Sequence, residues 1–165
     1  MVATADLLAG GAAEGRSGSE QYLTFFCAEE EFGVEILRVR EIKGWTSVTQ
    51  VPEAPAHVLG IMNLRGDIVP VIDLRTRFRF AKRSPDASTV LIVVSARSAR
   101  GEGIVGICVD GVSDVHGFEA GAITPPPDLG AQDASRFVRG VASRNGKILM
   151  LLDIDKVIGT EKLDD

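Results

Sequence analysis

Arg65 lies in Asn63-Leu-Arg-Gly66, a tight-turn sequence between two apolar runs. Turn geometry alone selects Asn, Asp or Gly at such a tip. An arginine there points to recognition, because a guanidinium can pair in bidentate fashion with a carboxylate or with carbonyls at a helix C-terminus. Glu41, just after the Val39 segment, is the candidate acidic partner within the chain; a solvated arginine is the alternative reading. The other reactive side chains form no catalytic pattern. His57 and His116 are isolated, with no Cys or His at ligand spacing, and read as surface or loop-edge histidines. Gly101-Glu-Gly103 lacks the following helix and basic residue that phosphate binding requires. Asp153 and Asp155 share one face at a strand end and read as a solvated pair of charges, and no serine stands in a G-x-S-x-G elbow. No cofactor or metal site is expected.

Composition sets the setting for this surface. The 165 residues are 45% hydrophobic and 25% charged, ordinary for a globular protein, and fit one compact domain or two small ones sharing a core. A net charge of −5 argues against a basic face that holds nucleic acid. Cys27 and Cys108 are far apart and sit in apolar segments, so both read as buried hydrophobes in a reducing compartment. No window approaches the roughly 18 apolar residues of a membrane span. Residues 1–19, rich in Gly, Ala and Ser, read as a disordered tail, without the basic start of a signal peptide.

Short strands must position the turn. Gln21 to Cys27 is β-branched and aromatic, Glu29 to Glu31 forms a turn, and Phe32, Val34 and Ile36 alternate with polar or small residues. Ile36 to Ile42 is open between strand and helical turn, since Leu37, Val39 and Ile42 would share one helical face. Val58–Met62 and Ile68–Leu74 flank the Arg65-Gly66 turn, and Pro70 places the second strand at an edge or at a bulge. Residues 85–88 form a connector. Val90–Val94 and Ile104–Val109 are strands around a loop at 98–103, and Pro125-Pro-Pro127 with Gly130 marks a long loop. Val138–Ala142 and Ile148–Ile154 surround Asn145-Gly146, a strong hairpin signal, and residues 155–158 end in a helical turn.

The chain repeats itself. Gly60 to Ile68 with Asp73-Leu74 matches Gly140 to Ile148 with Asp153-Ile154 at an offset of 80, and Phe32 to Ile42 matches Val105 to Val115 at an offset of 73. The longer second half is absorbed by the Pro-rich loop. Duplication of one β unit explains the pattern, with chance likeness among apolar strands as the competing reading. Units of about 60 residues are marginal alone, so a shared interface should belong to the core. Whether strands are exchanged between the units cannot be read from sequence. Arg65 has Asn145 as its counterpart, the residue a turn would choose, so the arginine is an addition to the repeated plan.

Gln21-Tyr-Leu-Thr-Phe25, Phe32 to Gly44, Asn63-Leu-Arg-Gly-Asp-Ile-Val-Pro-Val-Ile-Asp-Leu74 and Val105-Gly-Ile-Cys-Val-Asp-Gly-Val-Ser-Asp-Val115 together resemble the CheW family of chemotaxis coupling proteins. The resemblance implies an all-β fold of two packed, SH3-like, five-stranded β-barrel subdomains with only short helical turns. It places the domain at about residues 20–160, with approximate repeat halves 20–84 and 88–160, and leaves 161–165 as a C-terminal tail. It implies a non-catalytic, cytoplasmic scaffold, recruited to membrane-associated receptor arrays, that couples chemoreceptors to the histidine kinase CheA through its regulatory domain. Val39, Glu41, Gly60 and Arg65 match positions implicated in binding the cytoplasmic receptor tip, and Glu41 with Arg65 resembles the family's acid–base pair. Thr124 and Leu129 stand where some members present the arginine and phenylalanine of a kinase ring contact, a departure in this chain. A coupling protein for a CheA-type kinase in surface motility or biofilm control shares all of these features. A small enzyme or ligand-binding barrel using the groove between subdomains is the reading from another class, and no convergent polar groups favour it.

Overall fold

A computed structural model describes residues 19–98, 101–126 and 134–159. Of the expected tails, 1–19 and 161–165, all but Ser19 lie outside them, and Ser19 instead opens the first strand. Ten strands follow in chain order: β1 (Ser19–Cys27), β2 (Glu30–Glu35), β3 (Val39–Gly44), β4 (Val58–Leu64), β5 (Asp67–Asp73), β6 (Val90–Ser98), β7 (Gly101–Val109), β8 (Gly111–Glu119), β9 (Val138–Arg144) and β10 (Lys147–Leu152). Among the described residues, helix is confined to α1 (Leu74–Arg77), α2 (Ile154–Ile158) and single 3-10 turns. The open segment at 36–42 divides: Ile36–Arg38 is a 3-10 turn and β3 begins at Val39. The expected loop at 98–103 is mostly strand, because β6 and β7 pair as far as Ser98 and Gly101. No helix among the described residues is long and apolar enough to cross a membrane.

The strands form two five-stranded sheets, ordered β8-β1-β2-β10-β9 and β3-β6-β7-β5-β4. Each sheet draws strands from both halves of the repeat, which answers the question the sequence leaves open. The β1–β2 hairpin sits among β8, β9 and β10, and the β6–β7 hairpin sits among β3, β4 and β5. The two insertions match in detail: Leu151 lies opposite Gly33 in one parallel ladder and Val71 opposite Gly106 in the other. These pairs are related by the offsets of 80 and 73 found in the sequence.

Alternation in these inserted strands explains the core. Leu23, Phe25 and Cys27 of β1 face a central cluster, together with Phe32 and Val34 of β2, Ile92 and Val94 of β6, and Ile107 of β7. The opposite faces of β1 and β6 are buried as well. Tyr22 joins Phe118, Ala142, Leu149 and Leu151 inside one barrel, whereas Leu91 and Val93 join Met62, Leu64, Val69 and Val71 inside the other. Strands buried on both faces read as nearly continuous apolar runs, as β1 and β6 do. Both cysteines are buried and unbonded, and burial pushes each thiol up to about 12.

Three expectations are corrected. Pro70 is not on an edge strand: β5 lies between β7 and β4, and the bulge sits opposite, in β4 between Val58 and Gly60. Proline is tolerated there because the β7 ladder covers only Val71–Asp73, while Ile61, which faces Pro70, exchanges its own bonds with Thr49. His57 is buried; its carbonyl accepts the Asp73 amide at 2.8 Å, as the Phe137 carbonyl accepts that of Asp153. Asp153 and Asp155 are not a solvated pair. Asp153 caps α2 by accepting from the Lys156 amide, and Asp155 takes Arg38 at 2.6 Å and the Arg97 amide at 3.2 Å. At the repeat-equivalent place on α1, Arg75 grips Asp110 with two bonds of 3.0 and 2.7 Å. The same position thus carries an ion pair of opposite polarity in each half.

Candidate functional site

Both barrels are finished by the same device. The segment after β3 folds back so that Thr49 exchanges two backbone bonds of 2.8 Å with Ile61 on β4. The segment after β8 repeats this with Thr124 and Val141 on β9, at 2.9 and 2.8 Å. Glycine is required where the first of these crossings occurs. Gly60 has a φ of 150°, and a Cβ there would overlap the Thr49 carbonyl and the Val48 side chain. Gly60 is therefore buried support for the crossing and contributes no contact surface. Thr124, exposed beside its own crossing, uses its backbone for closure; Leu129 lies outside the described residues.

The hairpin after β4 then reaches the far edge of its sheet. Arg65 and Gly66 hold φ values of 51° and 92°, the doubly left-handed geometry of a two-residue turn, and the Gly66 amide donates to the Asn63 side chain at 3.0 Å. From this tip Arg65 Nη2 donates to Glu41 Oε1 on β3 at 2.5 Å. β3 and β4 are the two edges of the sheet, so the ion pair spans the seam that no strand pairing closes. The bond from Arg65 holds the Glu41 carboxyl below the usual carboxylate range. Arg65 keeps 73% of its side chain in solvent and Glu41 only 23%, so one face of the guanidinium remains available.

Val39 is placed differently from the sequence expectation. It is 6% exposed and packs in the central cluster, so it cannot cover a partner without moving the core. Two apolar residues that sequence reasoning missed are exposed instead: Leu37, at 84% on the 3-10 turn before β3, and Ile68, just after the Arg65 turn. For Ile68 the signal was present, since alternation along β5 puts Val69 and Val71 inward and leaves position 68 outside. Of the four residues, the structure joins Glu41 and Arg65 at the surface and keeps Val39 and Gly60 beneath it.

The repeat-equivalent region of the other barrel is open. Asp114 replaces Glu41 and Asn145 replaces Arg65, and no ion pair spans that seam among the described residues. A cavity of about 410 Å³ lies there, lined by Phe26, Glu31, Asp114, His116, Arg144 and Lys147, with Leu149 as its floor. Phe26, His116, Arg144 and Lys147 continue the strand faces that carry the Tyr22–Leu151 cluster, so the cavity is the mouth of that barrel. In the first barrel the matching positions of Arg144 and Glu31 are Leu64 and Ile104, which seal the mouth with apolar surface. Burial and the nearby Arg144 lower the pKa of His116 below its ordinary value. No cluster of metal-ligating side chains occurs among the described residues.

Comparison with known proteins matches this geometry to a family. A family model described as the CheW-like domain covers residues 21–162. The chain is 38% identical over 149 residues to the chemotaxis protein CheW of Klebsiella aerogenes, spanning 90% of this chain and 87% of that protein. It is 36% identical over 146 residues to the chemotaxis protein CheW of Rhizobium meliloti, spanning 88% and 92%. The crystal structure of the scaffolding protein TtCheW from Thermoanaerobacter tengcongensis superposes with a TM-score of 0.75 at 33% identity, over 84% of this chain and 91% of that one.

Proposed function

Because the chain belongs to the CheW-like family, we propose that it is a non-catalytic scaffold of chemotaxis signalling that couples chemoreceptors to the histidine kinase CheA. The observation that carries the reading is likeness to chemotaxis CheW proteins along nearly the whole domain. The Glu41–Arg65 seam supplies a mechanism. A receptor tip is a helical hairpin, and a helix laid across the seam would bury Leu37 and Ile68 while the free face of Arg65 meets a carboxylate or a C-terminal carbonyl. Burying one such aliphatic side chain contributes about 1.5–3 kcal/mol, and an exposed ion pair about 0–1. Packing on Leu37 and Ile68 supplies affinity, and Arg65 sets the register of the helix. Val39 and Gly60 act beneath the surface by fixing β3 and the Thr49 crossing. Thr124, in the barrel that receives the β1–β2 hairpin, belongs to a second face for the kinase regulatory domain, and Leu129 is assigned to the same contact by its match to the family. Such a scaffold works in the cytoplasm at membrane-associated receptor arrays, and transmits signals by holding receptor and kinase at a fixed spacing.

Pull-down with a receptor signalling fragment tests the seam. Leu37→Asp, Ile68→Asp and Arg65→Glu should each lose capture while retaining the wild-type denaturation midpoint, and capture equal to wild type in all three removes the seam from the proposal. Size-exclusion chromatography with a cognate kinase regulatory domain tests the scaffold itself. Failure to co-elute sinks it.

A further inference from the structure

Residues 74–83, Leu-Arg-Thr-Arg-Phe-Arg-Phe-Ala-Lys-Arg, place five basic side chains in ten positions of a chain whose net charge is −5. Arg75 and Arg83 are answered by acids, Arg75 by Asp110 and Arg83 by Asp86 at 3.1 Å. Of the others, Arg77 lies against an aromatic cluster. Phe78 stacks on Phe137 at 5.4 Å and meets Phe80 edge-on at 5.9 Å. Two guanidiniums lie over the Phe137 ring, Arg77 at 4.7 Å and Arg136 at 4.5 Å from its centre. Arg77 also donates to the Val157 and Lys156 carbonyls at the end of α2, which brings the exposed Lys156 to the same patch.

Arg79 adds a second kind of evidence. It is exposed between Phe78 and Phe80 with a φ of 64°, a left-handed conformation that disfavours any residue with a Cβ. Six non-glycine residues among those described have positive φ, and Arg65 and Arg79 are the two arginines. At both, the backbone would be better served by Asn or Gly, so the side chain itself is the reason for the choice.

We propose that the Arg79–Arg136–Lys156 patch is a docking surface for an acidic polypeptide segment of a partner protein. The exposed guanidiniums of Arg79 and Arg136 offer N–H groups that can grip planar carboxylates, while Arg77, bonded to the carbonyls at the end of α2, supports the Phe137 ring. Phe78 and Phe137 are buried and form the floor of the patch, and half-buried Phe80 is the ring left to meet an apolar residue of such a segment. The overall charge of −5 repels an extended anionic surface such as a membrane or a nucleic acid, whereas a short acidic segment meets only the local positive field. The surface lies at α1 and α2, away from the Glu41–Arg65 seam.

The test is fluorescence anisotropy with a short, labelled Glu/Asp-rich peptide carrying one Phe, titrated with the full chain. Binding should weaken steeply as salt is raised, and Arg79→Glu with Arg136→Glu should weaken it roughly tenfold or more. Arg79→Asn, which relieves the turn while removing the charge, should fold at least as well as wild type and also lose affinity. Arg144→Glu makes the same charge change at the distant barrel mouth and should leave binding nearly unchanged. An equal loss in Arg144→Glu reduces the effect to net charge and overturns the proposal. So does binding to phosphatidylglycerol vesicles in place of the peptide, or to neither. Receptor capture by the Arg79 variants should stay at the wild-type level, which separates this surface from the seam.

Discussion

The two hairpin tips have nearly the same backbone and opposite surroundings. Arg65-Gly66 and Asn145-Gly146 share a left-handed pair of residues, and their flanking strands pair in the same register, Leu64 with Asp67 and Arg144 with Lys147. At the first tip an apolar mouth is covered by an ion pair reaching across the seam. At the second, two apolar plugs have become Arg144 and Glu31, the arginine has become Asn145, and the mouth stands open as a charged cavity. Closure of a small barrel is thus separable from its fold. The backbone crossings through Thr49 and Thr124 complete both barrels, and the side chains at the mouth are free to diverge.

The widest split between the two copies is expected at their glycines. Gly60→Ala must push a Cβ against backbone at φ 150°, a clash a rotamer change cannot relieve, and should cost about 3 kcal/mol by urea denaturation. Gly140→Ala meets mainly the Ile123 side chain, which can turn away, and should cost about 1 kcal/mol. Equal losses would mean that the crossings differ less than their geometry. Exchange of the plugs comes next. Leu64→Arg removes a buried side chain from the sealed mouth and should cost about 2–4 kcal/mol, while Arg144→Leu, at an exposed rim, should stay within about 0.5 kcal/mol of wild type.

A smaller effect tests the arginine. Arg65→Asn makes the first tip like the second; it should raise the denaturation midpoint or leave it unchanged while abolishing receptor capture, so that stability and binding move apart. Titration gives the smallest effects, one at each mouth. The Glu41 carboxyl is held low in the folded chain, so its contribution is present above the unfolded value of 4.5 and is lost as pH falls through the folded value. Glu41→Gln should therefore alter stability at neutral pH and hardly at all once the carboxylate is protonated. His116 also titrates lower when folded, which favours its neutral form, so its contribution is full above 6.5 and declines as pH falls below that value. Replacing His116 with Gln should flatten the stability profile in that window, and an unchanged slope would place the histidine in open solvent.

Much of this was legible in the sequence because it depends on local chemistry. The glycine and aspartate spacing of the repeat fixed the two turns, and the lone arginine at one of them drew attention to Glu41 through the complementarity of their charges. The rest needed the third dimension. Alternation cannot say which strand of another half will be a neighbour, so the exchange of hairpins was invisible. Val39 entered as a contact residue through its match to a family position, and such a match does not tell whether an apolar side chain faces a partner or the core. The roles of Asp155 and Arg38 escaped notice because the two lie 117 residues apart and meet only through the packing of α2 on β6.

The exchange of hairpins also governs the order in which the chain can be assembled as it is made. The Thr24 hydroxyl bonds to a carbonyl 90 residues downstream, and β2 gains its second neighbour only with β10, the last strand. The β1–β2 hairpin therefore emerges from the ribosome with both outer edges unpaired and two apolar faces uncovered, and stays so until nearly all of the domain has been synthesised. Pairings this distant in sequence make folding slow. The first strands of the domain to be translated are thus the last of it to be protected, and they are the part of the newborn domain most in need of a chaperone.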